Sequence, residues 1–164
     1  MLVSLANNQE VTGQFRCRLL SWRRGKLVAT STSEQSGVEI LIVDDSKVMR
    51  EMIVACLRGV AGLRFTHAAS GLEAIERLSL GRFELVFLDL NMPDIGGFEV
   101  LEFVRGQDAL RDIPIIVVTT RGDEGSRERA LATGATRFMT KPFEPADILA
   151  EVRALLPALA SATA

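Results

Sequence analysis

The stretch LVFLDLNMPDIGG, Leu85–Gly97, decides how this chain is read. Leu85–Leu88 is an apolar run of the length of a buried strand, and it ends on a single carboxylate, Asp89. The chain then breaks at Met92-Pro93 and again at a Gly96-Gly97 pair, both of them turn signals. A carboxylate at the C-terminal end of a strand starts a turn, caps a helix or marks a site. The rest of the chain has to say which.

From Val38 onward, similar runs recur between segments of helical spacing. They are Glu39–Val43, Leu63–Thr66, Leu85–Leu88, Ile113–Val118 and Arg137–Met139. A first helix is expected from about Ser46 to Leu57, with Val48, Met52, Ile53, Cys56 and Leu57 on or near one face. A second opens at SGLE, where Ser70 and Glu73 have capping-box spacing. A third runs from about Gly97 to Arg105, and a fourth from about Ser126 to Thr133, stopping at Gly134. The fifth begins with Pro145 in its first turn and carries Ile148, Leu149, Val152 and Leu155 inward. Five strands alternating with five helices predict an α/β fold, a parallel sheet covered by helices on both faces.

Such a sheet binds ligands outside the carboxyl ends of its strands. The polar residues there are Asp44 and Asp45 after the first run, Asp89 after the third, Thr119 and Thr120 after the fourth, and Lys141 after the fifth. Three carboxylates at one edge repel one another unless a cation is bound among them. His67 is the single histidine, and Cys17 and Cys56 lie far apart, so a zinc site lacks its ligands and the cysteines read as free thiols. Hard oxygen donors favour Mg²⁺ or Mn²⁺. The Asn91 carbonyl, in the turn after Asp89, is a further candidate donor. With the Thr119 hydroxyl and the Lys141 ammonium beside the metal, the site is equipped to hold the oxygens of a phosphoryl group on Asp89. An Asp carboxylate acts as a nucleophile toward phosphoryl donors when a cation screens the approach of two anions.

These residues resemble the receiver domain of two-component response regulators, most closely the stand-alone chemotaxis-type members. The resemblance rests on ILIVDDS, LVFLDLNMPDIGG, IPIIVVTTRGDEG and GATRFMTKPF in that order, and covers roughly Val38 to Leu156. It implies a flavodoxin-like, doubly wound (βα)5 three-layer sandwich, with the five runs in sheet order 2-1-3-4-5. It also implies that Asp89 is the phospho-acceptor, Asp45 a direct metal ligand and Asp44 a neighbour acting partly through water, with Thr119 and Lys141 on the phosphoryl group. By the same likeness the Lys141-Pro142 bond is cis, and Phe138 is the aromatic that turns on activation as Thr119 is drawn inward. The face made by the fourth helix, fifth run and fifth helix then changes shape for a partner to read. Thr120 departs from the family, which usually has Ala, Ser or Gly there. Its bulk is expected to narrow access to the site, while Arg121 adds positive charge at the mouth.

The resemblance implies a single-domain response regulator that takes its phosphoryl group from a histidine kinase or phosphotransfer protein and catalyses no other reaction. A phosphorelay intermediate is the alternative. A phosphatase of the haloacid dehalogenase type fits less well, because its nucleophile follows the first strand as Asp-x-Asp, whereas here Asp44-Asp45 are adjacent and followed by Ser46. A flavodoxin-like cofactor binder would want a phosphate loop and stacking aromatics, and the chain has no tyrosine.

With 164 residues, 48% of them apolar, there is room for one domain and some extra chain. Residues 1–37 hold five basic residues against two acidic, and residues 38–164 fourteen against nineteen. An acidic domain is a poor candidate for direct nucleic-acid binding. Residues 1–37 are expected to be a disordered basic extension, with a flexible linker at TSTSEQSG, Thr30–Gly37. Within it QFRCRLLSWRRGK mixes Phe15, Leu19, Leu20 and Trp22 with cations, a composition suited to an anionic membrane or a partner. Residues 38–158 form the expected domain and 159–164 a tail, too short for an output domain, so the output is expected to be a protein contact. No run suits a membrane span or a secretion signal, and the expected compartment is the cytoplasm. A weak dimer on phosphorylation is left open.

Overall fold

The computed structural model describes residues 37–120 and 122–157 in full, and the backbones of 20–23 and 26–29. The chain divides into two compact units between Gln35 and Ser36. In the first, strands β1 (Leu20–Arg23) and β2 (Lys26–Ala29) pair antiparallel, Leu20 opposite Ala29. The sequence reading placed no strand there. Arg121, Cys17, the remaining basic residues of the arm and the tail 159–164 lie outside the described residues.

The second unit alternates strand and helix throughout. Its elements are β3 (Val38–Val43), α1 (Lys47–Leu57), β4 (Leu63–Ala68), α2 (Gly71–Leu80), β5 (Leu85–Leu88), α3 (Gly97–Gly106), β6 (Ile115–Thr119), α4 (Glu124–Thr133), β7 (Arg137–Thr140) and α5 (Pro145–Leu155). The strands form one parallel sheet in the order β4-β3-β5-β6-β7, which is 2-1-3-4-5 counted within the unit. The doubly wound expectation holds.

The central strands are apolar at nearly every position because both faces are covered. Side chains alternate across the sheet, so Leu41, Val43, Val86, Leu88 and Val117 face one layer, where Ala74 and Leu78 of α2, Leu101 and Val104 of α3, and Ala130 of α4 meet them. Ile40, Ile42, Leu85, Phe87, Ile116 and Val118 face the other, against Ile53 and Leu57 of α1 and Ile148 and Val152 of α5. Two cores therefore sandwich one sheet, the first of them completed by Phe83, Leu90, Met92 and Ala135 from the connecting loops.

Two element starts and one helix face differ from the sequence reading, each for a local reason. β6 starts at Ile115 and not Ile113, because the Ile113 N–H closes a turn onto the Leu110 carbonyl and Pro114 has no N–H to give. α4 starts earlier than Ser126, because the Asp123 carboxylate caps it, accepting from the Ser126 N–H at 2.9 Å. On α1, Ile53 and Leu57 are buried as expected, but Val48 and Met52 are 68% and 45% exposed. An apolar stripe wider than the sheet can cover leaves its edge in water.

Candidate functional site

Register brings the polar strand ends together. Val43 pairs with Leu88 and Leu88 with Val117, so the residues that follow emerge at one edge. The Asp44 N–H bonds the Ala68 carbonyl and the Asp89 N–H bonds the Val43 carbonyl, which carries the ladder one step past the strands. The Lys141 N–H bonds the Thr119 carbonyl in the same way. The Lys141-Pro142 peptide is cis.

The turn after Asp89 is shaped by close approach. A β-carbon on Gly97 would stand 2.2 Å from the Asp89 carbonyl oxygen and 2.8 Å from the Leu90 Cα, so only glycine lets α3 begin directly against the strand end. Asp94 takes a left-handed conformation, φ 64°, one that Asp tolerates better than most residues. The breaks in the sequence thus serve the position of Asp89.

Asp44, Asp45 and Asp89 converge, with one oxygen of each within 4.8 Å of the others. Asp44 and Asp89 are buried and Asp45 is exposed. Lys141, itself nearly buried, places its Nζ 2.6 Å from Asp44 Oδ2 and 3.3 Å from Asp89 Oδ2. The other Asp44 oxygen accepts from the Ser46 N–H at 2.8 Å. Asp89 Oδ1 is buried without a hydrogen-bond partner among the described residues. Three carboxylates against one ammonium leave two negative charges in a largely buried site, and a buried carboxylate oxygen left unpaired is costly. Both features suit a hard divalent cation, and the donor set is all oxygen.

Thr119 is fully buried at the end of β6, and Thr120 beside it is exposed. The Asn91 side chain spans the two, its Nδ2 donating to Thr120 Oγ1 at 2.8 Å and to Thr119 Oγ1 at 3.2 Å. The sequence reading gave Asn91 only a carbonyl role, and nothing in spacing signals this amide bridge. The acidic edge opens into a cleft of about 500 Å³ whose far wall is Met49, Met52 and Phe143. Phe138 on β7 is half-buried against the core and also lines a separate groove of about 530 Å³ between α4, β7 and α5, with Arg127, Phe143 and Glu151.

The family model described as the response regulator receiver domain matches residues 40–153. The chain belongs to the response regulator receiver family. The receiver is 32% identical over 117 residues to the phosphate regulon transcriptional regulatory protein PhoB of Escherichia coli, covering 71% of this chain and 51% of PhoB. It spans about half the length of the first curated relatives it matches. Among solved structures, the Vibrio cholerae chemotaxis protein CheY4 superposes with a TM-score of 0.67 at 34% identity, over 73% of this chain and 99% of CheY4. The receiver domain of a Pseudomonas aeruginosa sensor histidine kinase does so with a TM-score of 0.67 at 30% identity, over 74% of this chain and 98% of its own, and carries a magnesium ion coordinated in its active site cleft. This receiver's own acidic cluster fits such an ion on the charge and the unpaired oxygen described above. Among the described residues no helix is long and apolar enough to cross a membrane.

Proposed function

We propose that this receiver is a phosphorylation switch in which Asp89 takes a phosphoryl group from a histidine kinase or phosphotransfer protein and the altered domain engages a protein target. The observation that carries the reading is Asp89 itself, a buried carboxylate with one oxygen unpaired and the other 3.3 Å from the Lys141 ammonium. An Asp89 oxygen forms the new P–O bond as the P–N bond to the donor imidazole breaks, and the imidazole keeps the electron pair. Lys141 is placed to follow the incoming charge, because an ammonium already touching Asp44 and Asp89 needs little movement to bond a phosphoryl oxygen. The Thr119 hydroxyl binds a second oxygen.

Asp45, Asp89 and the Asn91 carbonyl would hold Mg²⁺ or Mn²⁺ directly, with Asp44 acting partly through water. The ion supplies charge neutralisation between the carboxylate and the phosphoryl oxygens. Thr119 moves toward the phosphoryl group, and Phe138 follows into the space it leaves. The groove between α4, β7 and α5, which Phe138 lines, changes shape as a result. We read that groove as the target face and the partner as protein, since residues 38–164 carry fourteen basic against nineteen acidic residues. Retarded migration of duplex DNA by the phosphorylated protein at ordinary salt would contradict this choice of partner.

Beryllofluoride with Mg²⁺ mimics an acyl phosphate and gives a direct test by NMR. The expected result is a shift of the Thr119, Lys141 and Phe138 resonances in the parent and none in Asp89→Asn. Equal shifts in both proteins would remove Asp89 from the acceptor role.

A further inference from the structure

Arg50 is the fourth residue of α1, and its side chain runs back toward the helix N-terminus, the direction helical side chains favour. There its Nη1 donates to the Asp44 carbonyl oxygen, while its Nε is buried with no hydrogen-bond partner among the described residues. A guanidinium left partly unsatisfied is poorly explained by stability, because burying an unpaired donor costs free energy. An acidic side chain also lies within range of its charge. The charge of Arg50 is felt at Glu73, whose carboxyl it helps to hold below the usual range, after the larger effects of the Ala69 N–H and Arg77. Arg50 thus reaches from α1 to the end of β3.

The carbonyl that Arg50 fixes belongs to the peptide joining Asp44 to Asp45. Asp44 is otherwise well held: its N–H bonds Ala68, and its carboxylate bonds the Ser46 N–H and Lys141. Asp45 is exposed, and among the described residues none donates a hydrogen bond to its carboxylate. The orientation of the peptide plane before Asp45 sets where its Cα–Cβ bond points. We infer that Arg50 is a positioning residue for the divalent cation site, holding the Asp44–Asp45 peptide so that the Asp45 carboxylate stays aimed at the ion. This rests on the reading of Asp44, Asp45 and Asp89 as a cation site.

The sign of the effect separates positioning from simple charge. A cation near the site repels Mg²⁺, so if Arg50 acted only through its charge its removal would tighten Mg²⁺ binding. If it positions a ligand, its removal weakens binding, as loss of an outer partner of a metal ligand commonly does by about tenfold or more. The experiment is calorimetric titration of Mg²⁺ into the parent, Arg50→Gln and Arg50→Lys, with thermal melts of the three proteins in chelator. The expected result is a Kd raised about tenfold in Arg50→Gln and also raised in Arg50→Lys, which keeps the charge but not the geometry. Lys decides the matter if the Gln variant does not fold. Equal or tighter binding in a folded variant overturns the role of Arg50 and leaves the site intact. A parent that binds no Mg²⁺ overturns the role and the cation site together.

Discussion

Thr120, where the sequence resemblance implies a smaller residue, has a hydroxyl with a definite task. It accepts from Asn91 Nδ2 at 2.8 Å, fixing an amide across the mouth above the buried Thr119. On the proposed reading, entry of a phosphoryl group, and of the water that later removes it, meets both the Thr120 side chain and the anchored Asn91. Removing one hydrogen bond of about 1 kcal/mol corresponds to about fivefold in rate. Thr120→Ala is therefore expected to gain phosphoryl from acetyl phosphate, and to lose it, about fivefold faster. Stopped-flow and decay measurements at one Mg²⁺ concentration check this, and unchanged rates would exclude Thr120 as a gate. Asp44, Asp45, Asp89, Thr119 and Lys141 were legible in the sequence because each ends an apolar run in a parallel sheet. The Asn91 amide and Arg50 were not, since a bridge between loops and a reach back along a helix leave no periodicity to read.

At the scale of elements, the capping of α2 shows what spacing does and does not specify. Ser70 caps the helix through the Glu73 N–H at 3.2 Å, but the Glu73 carboxylate returns to the Ala69 N–H, one residue before the cap, at 2.7 Å. That bond, with Arg77 at 2.8 Å, lowers the Glu73 pKa. A lowered carboxylate contributes stability above its unfolded value of about 4.3, and the contribution is lost as pH falls through the folded value. Glu73 is part-exposed, so the effect is small. Glu73→Gln is expected to melt lower than the parent at pH 7, by at most about 4 °C, with the gap closing below pH 4; a gap independent of pH would show that the charge contributes nothing. α4 differs from the other helices in burying Ala130 alone. Its sequence, polar on nearly every side, concealed a start that only the Asp123 cap defines, and its thin packing suits an element that moves.

Across the whole molecule, the parallel sheet and its two covered faces followed from the alternation of apolar runs with helical spacing, whereas the strand order followed only from the family resemblance. What sequence pattern overstated was the reach of the core. Val48 and Met52 were placed on or near the apolar face of α1 but are exposed, and Met52 forms part of the wall of the acidic cleft. The same architecture concentrates every proposed reacting group at one edge of the sheet and puts the Phe138 groove beside it, so that one local charge change reaches a surface. That account stands or falls on Asp89. Intact mass after incubation with acetyl phosphate and Mg²⁺, with chelator and Asp89→Asn as controls, is the direct measurement. The account predicts one added phosphoryl group in the parent alone, lost when Mg²⁺ is chelated beforehand. No added mass in a parent shown to bind Mg²⁺, or the same gain in Asp89→Asn, would contradict it.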